Sequence, residues 1–192
     1  MFTRTLKSKL LQLKEQFPVL ALFGPRQSGK TTLARMLFPN YRYINLESFE
    51  EQEFAGADPK GFLERFRNDE GVILDEIQKA PKLLSYVQIE VDERPSLGRF
   101  VLTGSQNILL NQHVSQTLAG RVALTTLLPL SIEELREAGV LPATASEAIF
   151  RGFFPRSYHN HLLIIVAWHF DLLIRFKDRF GVRIPGTASL DK

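Results

Sequence analysis

The sequence predicts an α/β fold: a parallel sheet of about five strands with helices on both faces, a three-layer sandwich. Three observations carry that expectation. Residues 18–24, 71–76 and 99–105 form short runs in which apolar residues dominate without polar alternation, the pattern of strands buried on both faces. Longer segments with helical spacing of their apolar residues alternate with these runs, and that alternation builds a parallel sheet covered on both sides. All three runs end in small or charged residues, and open sheets of this kind bind ligands at the carboxyl ends of their strands.

Taken in order, Leu6, Leu10, Leu11 and Leu13 among lysines predict an opening amphipathic helix. "PVLALFG" (18–24) is a buried strand closing on glycine, and "GKTTLARMLFP" is a helix that Pro39 stops. "YRYINL" (41–46) alternates as a strand does, and a mostly helical segment containing "DPKGFLERF" follows. "GVILDE" (71–76) is a second buried strand, ending in two carboxylates, and "APKLLSYVQIEVDE" (80–93) is a helix. "RFVLTGS" (99–105) is a third buried strand and "VALTTLLPL" (122–130) a fourth. In "SIEELREAG", Ser131 stands three residues before Glu134, the spacing of a capping box at a short helix.

Composition narrows the function classes. The chain of 192 residues has room for one ordinary domain, or one with a small appendage. It has no cysteine, which excludes disulfide frameworks, thiolate metal sites and cysteine nucleophiles and fits a cytoplasmic, reducing location. The lysine-interrupted start does not read as a signal peptide. The most apolar cluster, residues 161–176, is broken by His169 and Asp171, short of the roughly 20 residues a membrane span needs. Basic charge is concentrated late: residues 151–192 hold Arg151, Arg156, Arg175, Lys177, Arg179, Arg183 and Lys192 against three aspartates and no glutamate. That shift predicts a boundary near residue 150, with a core over 1–150 and a short, mostly helical tail over 151–192. The tail's charge is a faint hint of a DNA-associated protein, but basic and aromatic residues do not interleave as a nucleic-acid groove requires.

The three strand ends carry the chemistry. Residues 24–31, "GPRQSGKT", match G-x-x-x-x-G-K-[ST]. Glycines at those places let successive backbone N–H groups face one concavity that holds phosphate oxygens, and the following helix adds its positive end. A glycine-rich turn with a solvated lysine would spell the same string; the buried strand before it and the helix after it favour the phosphate loop. Gly24, Pro25, Arg26, Gln27, Ser28, Gly29, Lys30, Thr31 and Thr32 are therefore the expected nucleotide-binding residues. Lys30 would reach the β- and γ-phosphates and Thr31 would ligate Mg2+. Asp75, a carboxylate at the end of a buried strand, would serve the same metal, and Glu76 would polarise a water toward the γ-phosphate. Capping of the next helix is the plain alternative for this pair. No guanine-reading Asn/Thr-Lys-x-Asp segment is present, and an Asp-Glu pair suits attack by water, so ATP hydrolysis is the expected reaction. Thr103, Ser105, Gln106 and Asn107 end the next strand, where a polar group can hold water or sense the γ-phosphate. Arg121 would stabilise phosphoryl charge in its own subunit or in a neighbour.

"GPRQSGKTTLA", "LDEIQKAP", "LTGSQN", "LAGR", "LPLSIEEL" and "GFFPR" occur here in that order. In this the chain resembles a large group of prokaryotic ATPases of the AAA superfamily, with an N-terminal ATPase core and a C-terminal domain of unknown function. The resemblance covers about residues 1–158. It implies a phosphate-loop NTPase core of five parallel strands, with the Ser105 strand between the phosphate-loop strand and the Asp75 strand. It also implies nucleotide sensing at Ser105 or Gln106 and at Arg121. The chain departs from the pattern at Arg151-Gly152, where the family has paired glycines. Beyond Arg156 the resemblance stops, so the tail is expected to be truncated, frame-shifted or divergent. A chain of this kind either hydrolyses ATP or persists as a nucleotide-binding module without turnover. Residues 162–174 are expected to form a helix that covers core surface, or that contacts a protein partner or a second copy.

Overall fold

The computed structural model describes residues 2–105 and 108–158. The chain divides into two compact units, Met1–Leu141 and Pro142–Lys192. The first holds all five strands: β1 (Val19–Gly24), β2 (Arg42–Asn45), β3 (Val72–Asp75), β4 (Phe100–Ser105) and β5 (Val122–Thr126). Between and around them run α1 (Leu6–Lys14), α2 (Lys30–Leu37), α3 (Phe49–Ala57), α4 (Pro59–Arg65), α5 (Leu83–Glu93), α6 (Ile108–Thr117) and α7 (Ile132–Glu137).

The strands form one parallel sheet in the order β2-β3-β4-β1-β5. This is the α/β phosphate-loop sandwich that the sequence predicts, with β4 between β1 and β3. Because side chains alternate faces along a strand, each central strand feeds two cores. Val19, Ala21, Phe23, Val72, Leu74, Phe100 and Leu102 pack on one face with residues of α4, α5 and α6. Leu20, Leu22, Ile73 and Val101 pack on the other with Leu10 of α1 and Leu33 of α2. All six residues of β1 are buried, which explains why its run shows no polar alternation.

The helix ends follow local chemistry. Ser48 caps α3, and Asp58 caps α4 by accepting the Gly61 N–H at 2.9 Å with Pro59 in the first turn. Ser131 and Glu134 complete the expected capping box at α7. β5 stops at Thr126, short of the expected residue 130. The Leu127 N–H still donates to the Phe23 carbonyl at 2.7 Å, but the next two carbonyls turn to a side chain described below. In the second unit, α8 (Ala145–Arg151) starts at Thr144, whose hydroxyl accepts the Glu147 N–H. A 3-10 turn over Pro155–Tyr158 follows, with the Tyr158 hydroxyl donating to the Gly152 carbonyl at 2.8 Å. The helix expected over 162–174 lies outside the described residues.

Candidate functional site

The loop that leaves β1 is shaped by residues with unusual backbone freedom. A Cβ on Gly24 would stand 2.2 Å from the Leu127 carbonyl oxygen, so only glycine lets β1 end against the β5–α7 connection. Gln27 has φ 66° and Gly29 φ 94°, conformations that fold the loop back on itself. Within the turn the Ser28 N–H donates to the Pro25 carbonyl at 3.3 Å. Gly29 is the N-cap of α2, and no side chain caps that helix. Its first-turn N–H groups, which lack intrahelical partners by construction, therefore have no side-chain cap.

Lys30 is buried, and its Nζ donates to the Pro25 carbonyl at 2.9 Å. Burial pulls its pKa below the usual lysine value, against the opposing attraction of Glu76 and Asp75. Thr31 Oγ1 donates toward both oxygens of Asp75, at 3.1 and 2.9 Å. Asp75 is itself buried and also accepts from the Tyr43 hydroxyl at 2.8 Å and from the Thr103 hydroxyl. The convergence follows from the sheet. Tyr43 is in register with Ile73, two residues before Asp75, so both face the α2 side. Burial, then the bond to Asp75, pushes the Tyr43 phenol far above its ordinary pKa.

Glu76 leaves the strand in a left-handed conformation, φ 59° and ψ 49°, which costs a non-glycine residue roughly 1–2 kcal/mol. Its carboxylate accepts from the Gln78 amide. Ser105 is in register with Gly24, which seats it beside the start of the loop. The Ser105 hydroxyl oxygen and the Gln78 amide oxygen are buried without a hydrogen-bond partner among the described residues. Gln106 and Asn107 lie outside the described residues.

The structure thus brings together the loop 24–32, Asp75, Glu76 and Ser105. It does not bring Arg121 to them. The Arg121 carbonyl accepts the Val19 N–H at 3.1 Å, which fixes Arg121 at the starting end of β1 while the loop leaves the other end, about 16 Å away along the strand. Its guanidinium pairs with Asp92 of α5 at 2.5 and 2.8 Å. Sequence reasoning missed Tyr43, Gln78 and Arg4. Tyr43 follows once the β2–β3 pairing is known; Gln78 lies two residues past the acidic pair; Arg4 gives no local signal.

The donor set fits a nucleotide triphosphate with a hard cation. Backbone amides and one ammonium suit phosphate oxygens, and a hydroxyl beside a carboxylate suits magnesium, which takes few protein ligands and completes its shell with phosphate and water. Among the described residues no group of three His, Asp or Glu could hold a metal by itself.

Comparisons with known proteins agree with this geometry. The uncharacterized protein Rv2008c of Mycobacterium tuberculosis is 29% identical over 191 residues, an alignment that takes in 96% of this chain and 42% of the relative. It therefore reaches into the tail, and the chain spans less than half the length of the curated relatives it matches. Among solved structures, the Walker-type ATPase PABY2304 of Pyrococcus abyssi has a TM-score of 0.58 at 18% identity, covering 94% of this chain and 77% of that one. AMPPCP-bound DnaA from Aquifex aeolicus has a TM-score of 0.52 at 17% identity, covering 91% and 62%. At those identities the likeness shows the fold. The AAA domain family model matches residues 16–136, a stretch that holds the loop, the acidic pair and all five strands, and the chain belongs to that family.

Proposed function

We propose that the chain binds Mg-ATP in the loop 24–32 and hydrolyses it to ADP and phosphate. The observation that carries this reading is the Thr31–Asp75 hydrogen bond beside the buried Lys30. A lysine, a hydroxyl and a carboxylate from two strand ends lie together there, which supports the roles proposed for them. The amides of the loop and the amino end of α2 would hold the phosphate chain, and Lys30 would exchange the Pro25 carbonyl for the β- and γ-phosphates. Magnesium, when bound, would be held through Thr31 and Asp75 and would neutralise charge on the phosphate oxygens. Glu76 would accept a proton from a water whose oxygen bonds to the γ-phosphorus as the bond to the bridging oxygen breaks. Ser105, unpartnered beside Gly24, would sense the γ-phosphate.

One observation favours a second reading. Arg121 stands at the far end of the sheet from the loop, so a single chain does not bring this arginine to its own nucleotide, and on this reading the isolated chain would bind ATP without turnover. On the first reading Arg121 serves a neighbouring copy. Titration of ATP into the purified chain tests binding; Lys30→Ala should weaken it at least about tenfold, or roughly 1.4 kcal/mol. Glu76→Gln should keep ATP affinity and lower phosphate release by about 10²–10⁴. Equal turnover in Glu76→Gln and the parent would remove Glu76 from the mechanism. ADP formation with protein in excess over ATP would exclude the reading without turnover.

A further inference from the structure

We propose that Arg4 is a positioning residue of the nucleotide site, fixing the Ser28–Gly29 peptide so that its N–H faces the ligand; this rests on the ATP-binding reading above. Arg4 lies just ahead of α1 and is buried, 7% exposed. Its Nε donates to both oxygens of Glu134 at 3.1 Å. Nη1 donates to the Ser28 carbonyl at 2.7 Å, and Nη2 to the Leu128 carbonyl at 2.6 Å. Glu134, 3% exposed, also accepts the Thr5 N–H at 2.8 Å and the Ser131 N–H at 3.0 Å. Those hydrogen bonds and the Arg4 charge hold its carboxyl below the usual range, against the opposing pull of burial. Both charges are out of water and both are satisfied, which is what a buried pair requires.

The contact with Ser28 gives the pair a role beyond packing. The chain has no cis peptide bond among its described residues, and in a planar trans peptide the C=O and the following N–H point in opposite directions. A guanidinium that holds the Ser28 oxygen from behind therefore directs the Gly29 N–H away from itself, into the loop. Gly29 tolerates either sign of φ, so this peptide is the easiest in the loop to flip. A flip would place a carbonyl oxygen where an anion is to bind. Three acceptors from three segments, Ser28, Leu128 and Glu134, match the planar fork of an arginine; a lysine, with a single nitrogen on a flexible stem, cannot reach all three.

The test uses the full chain. In the ¹⁵N-labelled parent the Gly29 amide resonance should shift on addition of ATP; a parent that binds ATP without that shift overturns the proposal. Arg4→Lys, checked for folding by circular dichroism, should bind ATP at least tenfold more weakly and show a displaced, faster-exchanging Gly29 amide before any nucleotide is added. A folded Arg4→Lys that binds within twofold of the parent, with the Gly29 amide unmoved, also overturns it. Glu134→Gln keeps the Ser28 contact available and should lose thermal stability more than affinity; the reverse order counts against Arg4. If the parent binds no ATP, the nucleotide reading fails by itself, and the ligand-free Gly29 amide still decides whether Arg4 sets the loop.

Discussion

Gly24 illustrates how narrowly a single residue can be constrained. Its missing Cβ is what allows the first turn of the loop to touch the Leu127 carbonyl, and the obstacle is backbone, which cannot swing aside. Gly24→Ala should therefore lose at least about 3 kcal/mol of stability, in the range reserved for steric and backbone faults, read as a lowered midpoint in urea unfolding. Gly56→Ala, in α3 with nothing within 4 Å of the added carbon, is the control and should be neutral or gain up to about 1 kcal/mol. The two glycines also mark what a sequence reveals. Gly24 was legible because the motif demands it, whereas Arg4 was not. An arginine among polar residues ahead of a helix reads as solvated, and what makes it otherwise is a carbonyl 24 residues away and a carboxylate 130 residues away.

Between elements, the connections are pinned by polar side chains as well as by the two cores. Tyr41, in the connection from α2 to β2, donates its hydroxyl to the Gly98 carbonyl at 2.6 Å, and its ring lies 4.9 Å from that of Phe38. Burial, with nearby Glu70 and Glu15, pushes its pKa up to about 12. The folded chain therefore keeps a proton that the unfolded chain releases near pH 10. Protons bound in the folded state alone mean that stability falls as pH rises. The contribution is whole below about pH 10 and is lost as pH climbs toward about 12. Denaturant midpoints across that window should drop in the parent and drop less in Tyr41→Phe, which starts lower. Tyr43 and Tyr158, shifted the same way, contribute to the remaining slope. The central strands β1, β3 and β4 were readable because burial on both faces leaves apolar runs, whereas β2 and β5, at the sheet edges, keep exposed positions. The end of β5 was not readable: "LLPL" continues the run, but Leu128 and Pro129 direct their carbonyls to Arg4, at 2.6 and 3.4 Å, rather than to a neighbouring strand.

For the molecule as a whole, the open question in the proposed function is whether one copy completes another. Arg121 and Lys30 sit at opposite ends of the same strand neighbourhood. An arginine contributed across copies makes a specific demand on mixtures. Arg121→Ala and Lys30→Ala should each be inactive alone, yet a mixture should recover part of the parent's phosphate release, and that release should rise faster than linearly with protein concentration. A mixture as inactive as its parts would confine Arg121 to its bond with Asp92. Sequence alone located the residues of this question but not their separation, because "LAGR" is fixed in space only when β5 is paired with β1.

The Arg4–Glu134 bond also sets an order of events during synthesis. Arg4 is made before its carboxylate partner, which follows 130 positions later. At the roughly 5–20 residues per second of a ribosome, the glycine loop exists for several seconds or longer with nothing behind it. Over that interval the nascent chain already has its lysine and its glycines but not the brace that orients them. If Arg4 braces the loop as proposed, the cradle would mature only when α7 emerges, and binding competence would be a late property of an early segment.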